Sequence, residues 1–119
     1  MAEFAIVAAV VLLPLVLGIL EFGFAAWEKN SVAADAREGV RYAVVHGSNS
    51  GRTATADSVT NYVKTRSTLD TVRVTTQWPA GNKDPGSEVK VSVAHDVPRR
   101  GPFLRAHTDS ATSKMVILF

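Results

Sequence analysis

The first part of the chain is a continuous run of apolar residues. Residues 4–20 contain no charged side chain, and twelve of these seventeen positions are Val, Ile, Leu or Phe. A helix rises 1.5 Å per residue, so seventeen residues extend about 25 Å, close to the thickness of a bilayer's hydrocarbon core. The run predicts an apolar helix that spans a membrane or packs against copies of itself, and it extends to Ala26 if Glu21 is tolerated.

The helical pattern continues beyond the apolar run, in more polar surroundings. No proline or turn pair interrupts residues 19–45, and Gly47 supplies a stop signal. The sequence therefore predicts one helix over residues 3–46. Residues 1–26 form its transmembrane or filament-core part, and residues 27–119 form the amphipathic continuation and the head. An apolar stripe at three- and four-residue spacing is expected to pack against the head and consists of Val32, Ala36, Val40 and Ala43.

Charged residues mark the change of surroundings along this helix. Glu21, Glu28 and Asp35 are the first acidic residues after the apolar run, and Lys29 is the first basic one. Glu28, Asp35 and Glu38 are expected to lie away from the stripe. Glu38 is expected to pair with Arg41, three residues further along the helix.

After residue 47 the pattern predicts a second helix followed by strands. The second helix is expected over residues 55–68, with Thr53 or Thr55 as its N-cap. Apolar and polar residues then alternate over 72–78 and 89–94, which is typical of half-buried strands. Turn residues fill the loop 79–87, residues 97–102 break the second strand, and residues 108–119 predict a third.

These elements define the fold class as α+β. A long N-terminal helix with an apolar first half is expected to carry a small head. The head consists of one short helix and a three-stranded antiparallel sheet, since 119 residues are enough for one small domain and not for two.

Composition excludes several functions. His46, His95 and His107 lack metal-ligand spacing, there is no cysteine, and no nucleophile motif, phosphate loop or set of paired catalytic carboxylates is present. Asn82, Asp84 and Glu88 match no calcium-loop pattern and are typical of a turn. The sequence therefore predicts no enzyme activity, no metal site and no cofactor.

Net charge is +2 and does not change this conclusion. Basic residues are scattered singly, and only Arg99 and Arg100 are adjacent. Proteins that follow a phosphate backbone usually cluster basic residues with aromatic ones. Nucleic-acid binding is therefore not expected.

Two residues differ chemically from the rest of the apolar N-terminus: Glu3, directly before the run, and Pro14, within it. Glu3 gives the run an acidic start, whereas a cleaved secretory signal starts with basic residues. Two interpretations of Glu3 stay open: its carboxylate remains hydrated among headgroups, or it pairs with a positive charge from another subunit, such as a free α-amino group. Pro14 lacks a backbone donor and clashes with the carbonyl of Val10, so an irregular helix is expected over Val10–Pro14.

Four motifs give the sequence a family resemblance. They are Glu3-Phe4-Ala5, Leu13-Pro14-Leu15, Ile19-Leu20-Glu21-Phe22-Gly23 and residues 36–43. A weaker similarity is found at Ser110-Ala111-Thr112. On these motifs the chain resembles the TadE-like branch of the type IV pilins. The resemblance implies an inner-membrane precursor that a prepilin peptidase cleaves. Pilus assembly machinery then builds it into an extracellular helical homopolymer, a pilus used in surface adhesion.

The resemblance also implies roles for residues of the apolar run. Type IV pilins carry a glutamate at the fifth mature position, which neutralises the N-terminal amine of a neighbour, and Glu3 is the matching residue. Two fewer residues precede it, so the sequence is either a mature form cleaved at an unusual place or starts inside the precursor. Small residues allow close helix approach. The residues expected to take part in subunit assembly are Glu3, Phe4, Ala5, Ala8, Ala9, Pro14 and Gly18.

Two other functions fit the same sequence. A single-span, membrane-anchored extracellular binding module would hold a ligand with Trp78 and the loop 79–87, and it predicts monomers in detergent. A minor pseudopilin would only prime or cap a pilus. The structural pilin predicts filaments in which residues 4–20 are buried between subunits.

Overall fold

The structure, a computed structural model, describes residues 1–119 and contains two helices and three strands. They are α1 (Ala2–Val45), α2 (Ala56–Arg66), β1 (Val72–Gln77), β2 (Glu88–Val97) and β3 (His107–Val116). The molecule is 74 Å long, because the N-terminal half of α1 projects from the head. The α+β fold class is confirmed.

Helix α1 is continuous through Pro14. The irregularity expected over Val10–Pro14 does not interrupt the helix, since a proline removes one hydrogen bond and its fixed φ is itself helical. The helix ends where the N–H of His46 bonds the carbonyl of Ala43. Gly47 follows at a point where Ile117 and Phe119 leave no room for a side chain.

Helix α2 starts at a capping box. Thr55 Oγ1 accepts from the N–H of Ser58, and Ser58 Oγ accepts from the N–H of Thr55, so Thr55 and not Thr53 is the N-cap. The helix ends two residues earlier than predicted. Ser67 is extended there, and its hydroxyl donates to Asp35 Oδ2 at 2.6 Å.

The predicted pair of Glu38 and Arg41 is wrong. Glu38 Oε1 instead accepts from the hydroxyl of Tyr62 at 3.0 Å and lies 3.8 Å from a guanidinium nitrogen of Arg66. Both partners belong to α2, so Glu38 links the two helices, a contact that spacing along α1 could not show.

The sheet has the order β1-β2-β3, with both pairs antiparallel. Its register places Val74 opposite Val93 and Val91 opposite Ser113. The inner face of β2 packs against the helices, and the core it shares with α1 and α2 is formed mainly by valine and alanine. Its buried members include Val32, Ala36, Val40, Ala43, Val59, Val63, Val89, Val91 and Val93.

The C-terminus closes the head differently from the prediction. The third strand ends at Val116, and the last three residues leave the sheet. Ile117 is buried and donates to the carbonyl of Ser87 at 2.8 Å, while the N–H of Leu118 donates to the carbonyl of Val44 at 3.2 Å. The apolar tail is therefore attached to the end of α1.

The burial of Asp35 in the head can be tested through the pH dependence of the head's stability. Partial burial raises the pKa of its carboxyl above the ordinary 3.8, and the hydrogen bond from Ser67 only partly opposes this effect. The folded protein therefore holds this proton more tightly than the unfolded chain, and stability from this group is lost as pH rises above the ordinary value. Asp35→Asn keeps an acceptor for Ser67 and removes the charge, so we expect it to stabilise the head at neutral pH.

Thermal unfolding in detergent at pH 3 and pH 7 measures this effect. The stability difference between Asp35→Asn and the wild type should grow in favour of the variant as pH rises. Asp57→Asn, on the exposed first turn of α2, should show no such trend. Equal differences at both pH values would contradict the prediction.

Candidate assembly surface

The apolar segment, residues 4–20, is almost uncovered in the protomer. None of its residues is buried, and Phe4, Val10 and Ile19 are 79%, 67% and 64% exposed. Helix α1 contains a stretch long and apolar enough to cross a membrane. Soluble monomers rarely expose a continuous apolar surface of this extent. This segment therefore requires lipid or other protein around it.

The small residues of the segment form two groups on different sides of α1. At 100° per residue, Ala5, Ala8 and Ala9 share one side, while Pro14 and Gly18 lie about 150° away around the axis. Phe4 and Glu3 precede both groups in the first turn. The structure thus gives α1 two separate places where another helix could approach closely.

Glu3 is exposed in the first turn of α1. A carboxylate is favourable there because the helix dipole places partial positive charge at this end. The protomer's four ion pairs all lie in the head or at its junction with α1, and none includes Glu3. A positive partner for Glu3 must therefore come from another molecule.

Glu21 marks the end of the apolar segment and makes a contact that the sequence did not predict. Its Oε2 accepts from the backbone N–H groups of Phe103 and Leu104, at 3.1 and 3.0 Å. Both belong to residues 98–106, the connection between β2 and β3, which we call the arm. The arm therefore reaches down α1 as far as the first charged residue after the segment.

Glu28 does not lie in the polar surroundings that the sequence predicted. Its side chain is 1% exposed and forms an ion pair with Arg100 of the arm, whereas the sequence placed it away from the apolar stripe in polar surroundings. Glu28 lies four residues before Val32, so the stripe's own spacing includes it. The partner, 72 residues along the chain, gave no local signal.

The loop proposed as a ligand site is occupied by its own contacts. Lys83 Nζ lies 4.3 Å from the centre of the Trp78 ring and donates to the carbonyl of Ala54 at 2.6 Å. Asn82 Oδ1 accepts from the hydroxyl of Ser87 at 2.5 Å, and Asp84 accepts from that of Ser48 at 2.7 Å. Asn82 thus holds the turn of the loop together, while Lys83 and Asp84 attach the loop to Ala54 and Ser48.

Each of the three histidines contacts a different partner. His46 contacts the carbonyl of Tyr42, His95 that of Thr71, and His107 Nε2 lies 3.4 Å from Asp109. No group of three or more His, Cys, Asp or Glu side chains is placed to hold a metal ion.

Comparison with known families adds a finding that agrees with this geometry. The family model described as "TadE-like protein" matches residues 1–41. Over these residues the chain is similar to TadE-like proteins. The TadE-like part contains the whole apolar segment, Glu3, Glu21 and Glu28, together with the first three residues of the stripe. Comparison of the chain with curated proteins and with solved structures gave no match.

TadE-like proteins are a structural family associated with pili. A TadE-like part that coincides with an exposed apolar helix fits a membrane-anchored subunit related to the Tad pilus. The head beyond residue 41 lies outside the family match and has its own sheet and core.

Proposed function

We propose that this chain is a structural pilin subunit, and not an enzyme, that polymerises through its apolar N-terminal helix into an extracellular helical filament. It resides in the inner membrane before assembly, a prepilin peptidase processes it, and pilus machinery transfers it into the filament. The filament serves surface adhesion. The observation that carries the proposal is that no residue of the apolar segment, which lies within the residues of the family match, is buried in the protomer.

The two groups of small residues support polymerisation rather than simple anchoring. Because lipid already covers apolar surface in a membrane, close packing and not hydrophobicity must favour helix association. Ala5, Ala8 and Ala9 face one direction and Gly18 another, so one protomer contacts two different neighbours once the Phe103 ring of the same protomer has moved away from Gly18. Head-to-tail contacts that do not close into a ring generate a helical filament.

In this proposal Glu3 sets the register between protomers. Two charges 4 Å apart attract by about 4 kcal/mol at an effective dielectric constant of 20. Removing each charge from water costs several kcal/mol, so the two effects nearly cancel. Glu3 therefore selects the position of an incoming subunit, by pairing with the neighbour's amine, more than it stabilises the finished filament.

Glu3→Ala is expected to reduce the yield of shed filaments several-fold while the protomer stays in the membrane. Electron microscopy and quantification of shed material measure the yield, and membrane fractionation measures the protomer. Asp57→Ala is the matched control, because Asp57 is also an acidic residue in a helix's first turn, but in the head.

Two results would count against this proposal, in different ways. Wild-type piliation in Glu3→Ala would remove the role of Glu3 and leave the filament. Purification of the wild type only as single, lipid-surrounded molecules, with no contact between apolar segments, would contradict polymerisation itself.

A further inference from the structure

The arm lies on α1 across the boundary between the apolar segment and the head. Arg100 contacts Glu28, the backbone of Phe103 contacts Glu21, and the Phe103 ring lies next to Gly18. A side chain carbon at Gly18 would be 3.7 Å from that ring. Ten residues of helix separate Glu28 from Gly18, which is about 15 Å along the axis. The arm thus extends past Glu21, the first charged residue after the apolar segment, and contacts the end of that segment.

This position determines what surrounds the arm when α1 is in a membrane. Gly18 belongs to the segment that requires hydrocarbon around it, so the Phe103 ring beside it must lie at the hydrocarbon edge. That ring is 50% exposed in the protomer. Aromatic residues are enriched at this depth of a bilayer. Glu21 meanwhile has its charge satisfied by two backbone donors of the arm, which reduces the cost of placing a carboxylate there.

The charges of the arm fit the next layer of the membrane. Arg99, Arg100 and Arg105 are exposed, and residues 98–106 contain no acidic side chain. Two acidic groups of α1 face the arm: Glu28 pairs with Arg100, and Glu21 accepts from the backbone. Arg99 and Arg105 form no ion pair. Arg99 precedes Phe103 in the arm, and Arg105 follows it. Their charges are therefore available to the phosphates of lipid headgroups.

We propose that the arm is a second membrane contact, which docks on anionic phospholipid with Phe103 at the hydrocarbon edge and with Arg99 and Arg105 on headgroup phosphates. A cleft of about 240 Å³ between the arm and α1, lined by Leu17, Leu20 and Leu104, gives acyl chains an apolar surface at the same level. Arginine near an anionic leaflet is attracted to it, and the fork of its guanidinium matches phosphate oxygens. The contact holds the head upright on the membrane before the protomer enters a filament.

Because the chain contains no cysteine, a single spin label can report the depth of the arm. Phe103→Cys is labelled in the full chain and reconstituted in phosphatidylcholine vesicles with or without phosphatidylglycerol. Collision with oxygen, which dissolves in hydrocarbon, is compared with collision with a water-soluble nickel complex. Val16→Cys gives the reference for a membrane-embedded position, and Asn49→Cys, exposed at the far end of α1, gives the reference for water. Pro102→Cys reports the same loop if loss of the Phe103 ring itself releases the arm.

In vesicles with phosphatidylglycerol, the label at position 103 or 102 is expected to be several-fold less accessible to nickel than the label at position 49. The double change Arg99→Gln and Arg105→Gln should restore nickel accessibility several-fold. The double change Arg41→Gln and Arg52→Gln removes the same charge from exposed positions elsewhere and should have no effect.

Three results would overturn the proposal. Labels at 103 and 102 that are as accessible to nickel as position 49 would show that the arm does not touch the membrane. Shielding that is independent of phosphatidylglycerol and of the two arginines would exclude anionic lipid as the partner. Shielding that arises only on assembly would identify a neighbouring protomer instead. The first two results come from vesicles that hold unassembled protomers and do not depend on whether the chain forms filaments, whereas the third requires the same labels in assembled material.

Discussion

Replacing Leu12 with arginine is expected to abolish both membrane anchoring and filament formation. Leu12 lies at the middle of the apolar segment, and its side chain is 54% exposed in the protomer, so the change leaves the head intact. Insertion scales assign a charged residue at mid-membrane a cost of about 2.5–3.5 kcal/mol. That cost corresponds to roughly a hundredfold shift in the insertion equilibrium. Between the packed helices of a filament, an unpaired charge would be at least as unfavourable.

The measurement combines membrane fractionation with microscopy of shed material. Asn61→Arg, which adds the same charge to the exposed side of α2, is the matched control and should behave as the wild type. If Leu12→Arg still fractionated with membranes and produced filaments at the wild-type level, the apolar segment would have to lie against water, and both its proposed environments would be wrong.

Local patterns predicted the elements of this fold well. The boundaries of α1 were predicted within one residue, because an uninterrupted run of helix formers needs no tertiary contact to define it. The first strand was predicted by alternation alone, over 72–78 against the observed Val72–Gln77. Alternation reports one buried face, and β1 has one, since its outer residues such as Arg73 and Thr75 are exposed.

The contacts that position the head could not be predicted in the same way. Glu21 and Glu28 bond to residues of the arm that lie 72 to 83 positions later in the chain. Such contacts depend on where β2 ends and β3 begins, and the sequence showed only that proline and glycine break the strand near residue 97. Only the burial of Glu28 could have been predicted from the sequence, since its spacing from Val32 places it on the apolar stripe.

The C-terminal residues show a second limit of prediction from the sequence. An apolar ending was expected to continue the third strand, because unpaired apolar residues favour aggregation. Ile117 is buried as that reasoning requires, and its backbone pairs with Gly86 and Ser87 just before β2, but Leu118 bonds to Val44 at the end of α1 and does not continue the strand. Hydrophobicity thus predicted burial correctly, whereas the partner depended on the tertiary fold.

Gly39→Leu is expected to cause the largest loss of stability in the head. Gly39 lies on α1 where α2 and the sheet approach most closely. A Cβ atom there would be 2.8 Å from Val63 Cγ2 and 3.0 Å from Val91 Cγ1. Both neighbours are β-branched residues in a packed core and can move little. Overpacking of this kind costs about 1–3 kcal/mol, and a whole leucine side chain belongs at the upper end of that range. The gain in helix propensity, about 1 kcal/mol at most, cannot offset it.

Gly23→Leu is the matched control, because Gly23 is in the same helix with nothing within 4 Å of its added Cβ. It gains helix propensity without overpacking and should unfold at or above the wild-type temperature. Near-ultraviolet circular dichroism in detergent follows the head, since the rings of Tyr42 and Tyr62 stack 4.4 Å apart in the fold. Gly39→Leu should lower the midpoint by roughly 8–16 °C, as a net loss of about 2 kcal/mol does in a domain of this size. Equal midpoints for the two variants would mean that the contact of α1 with Val63 and Val91 is looser than the structure shows.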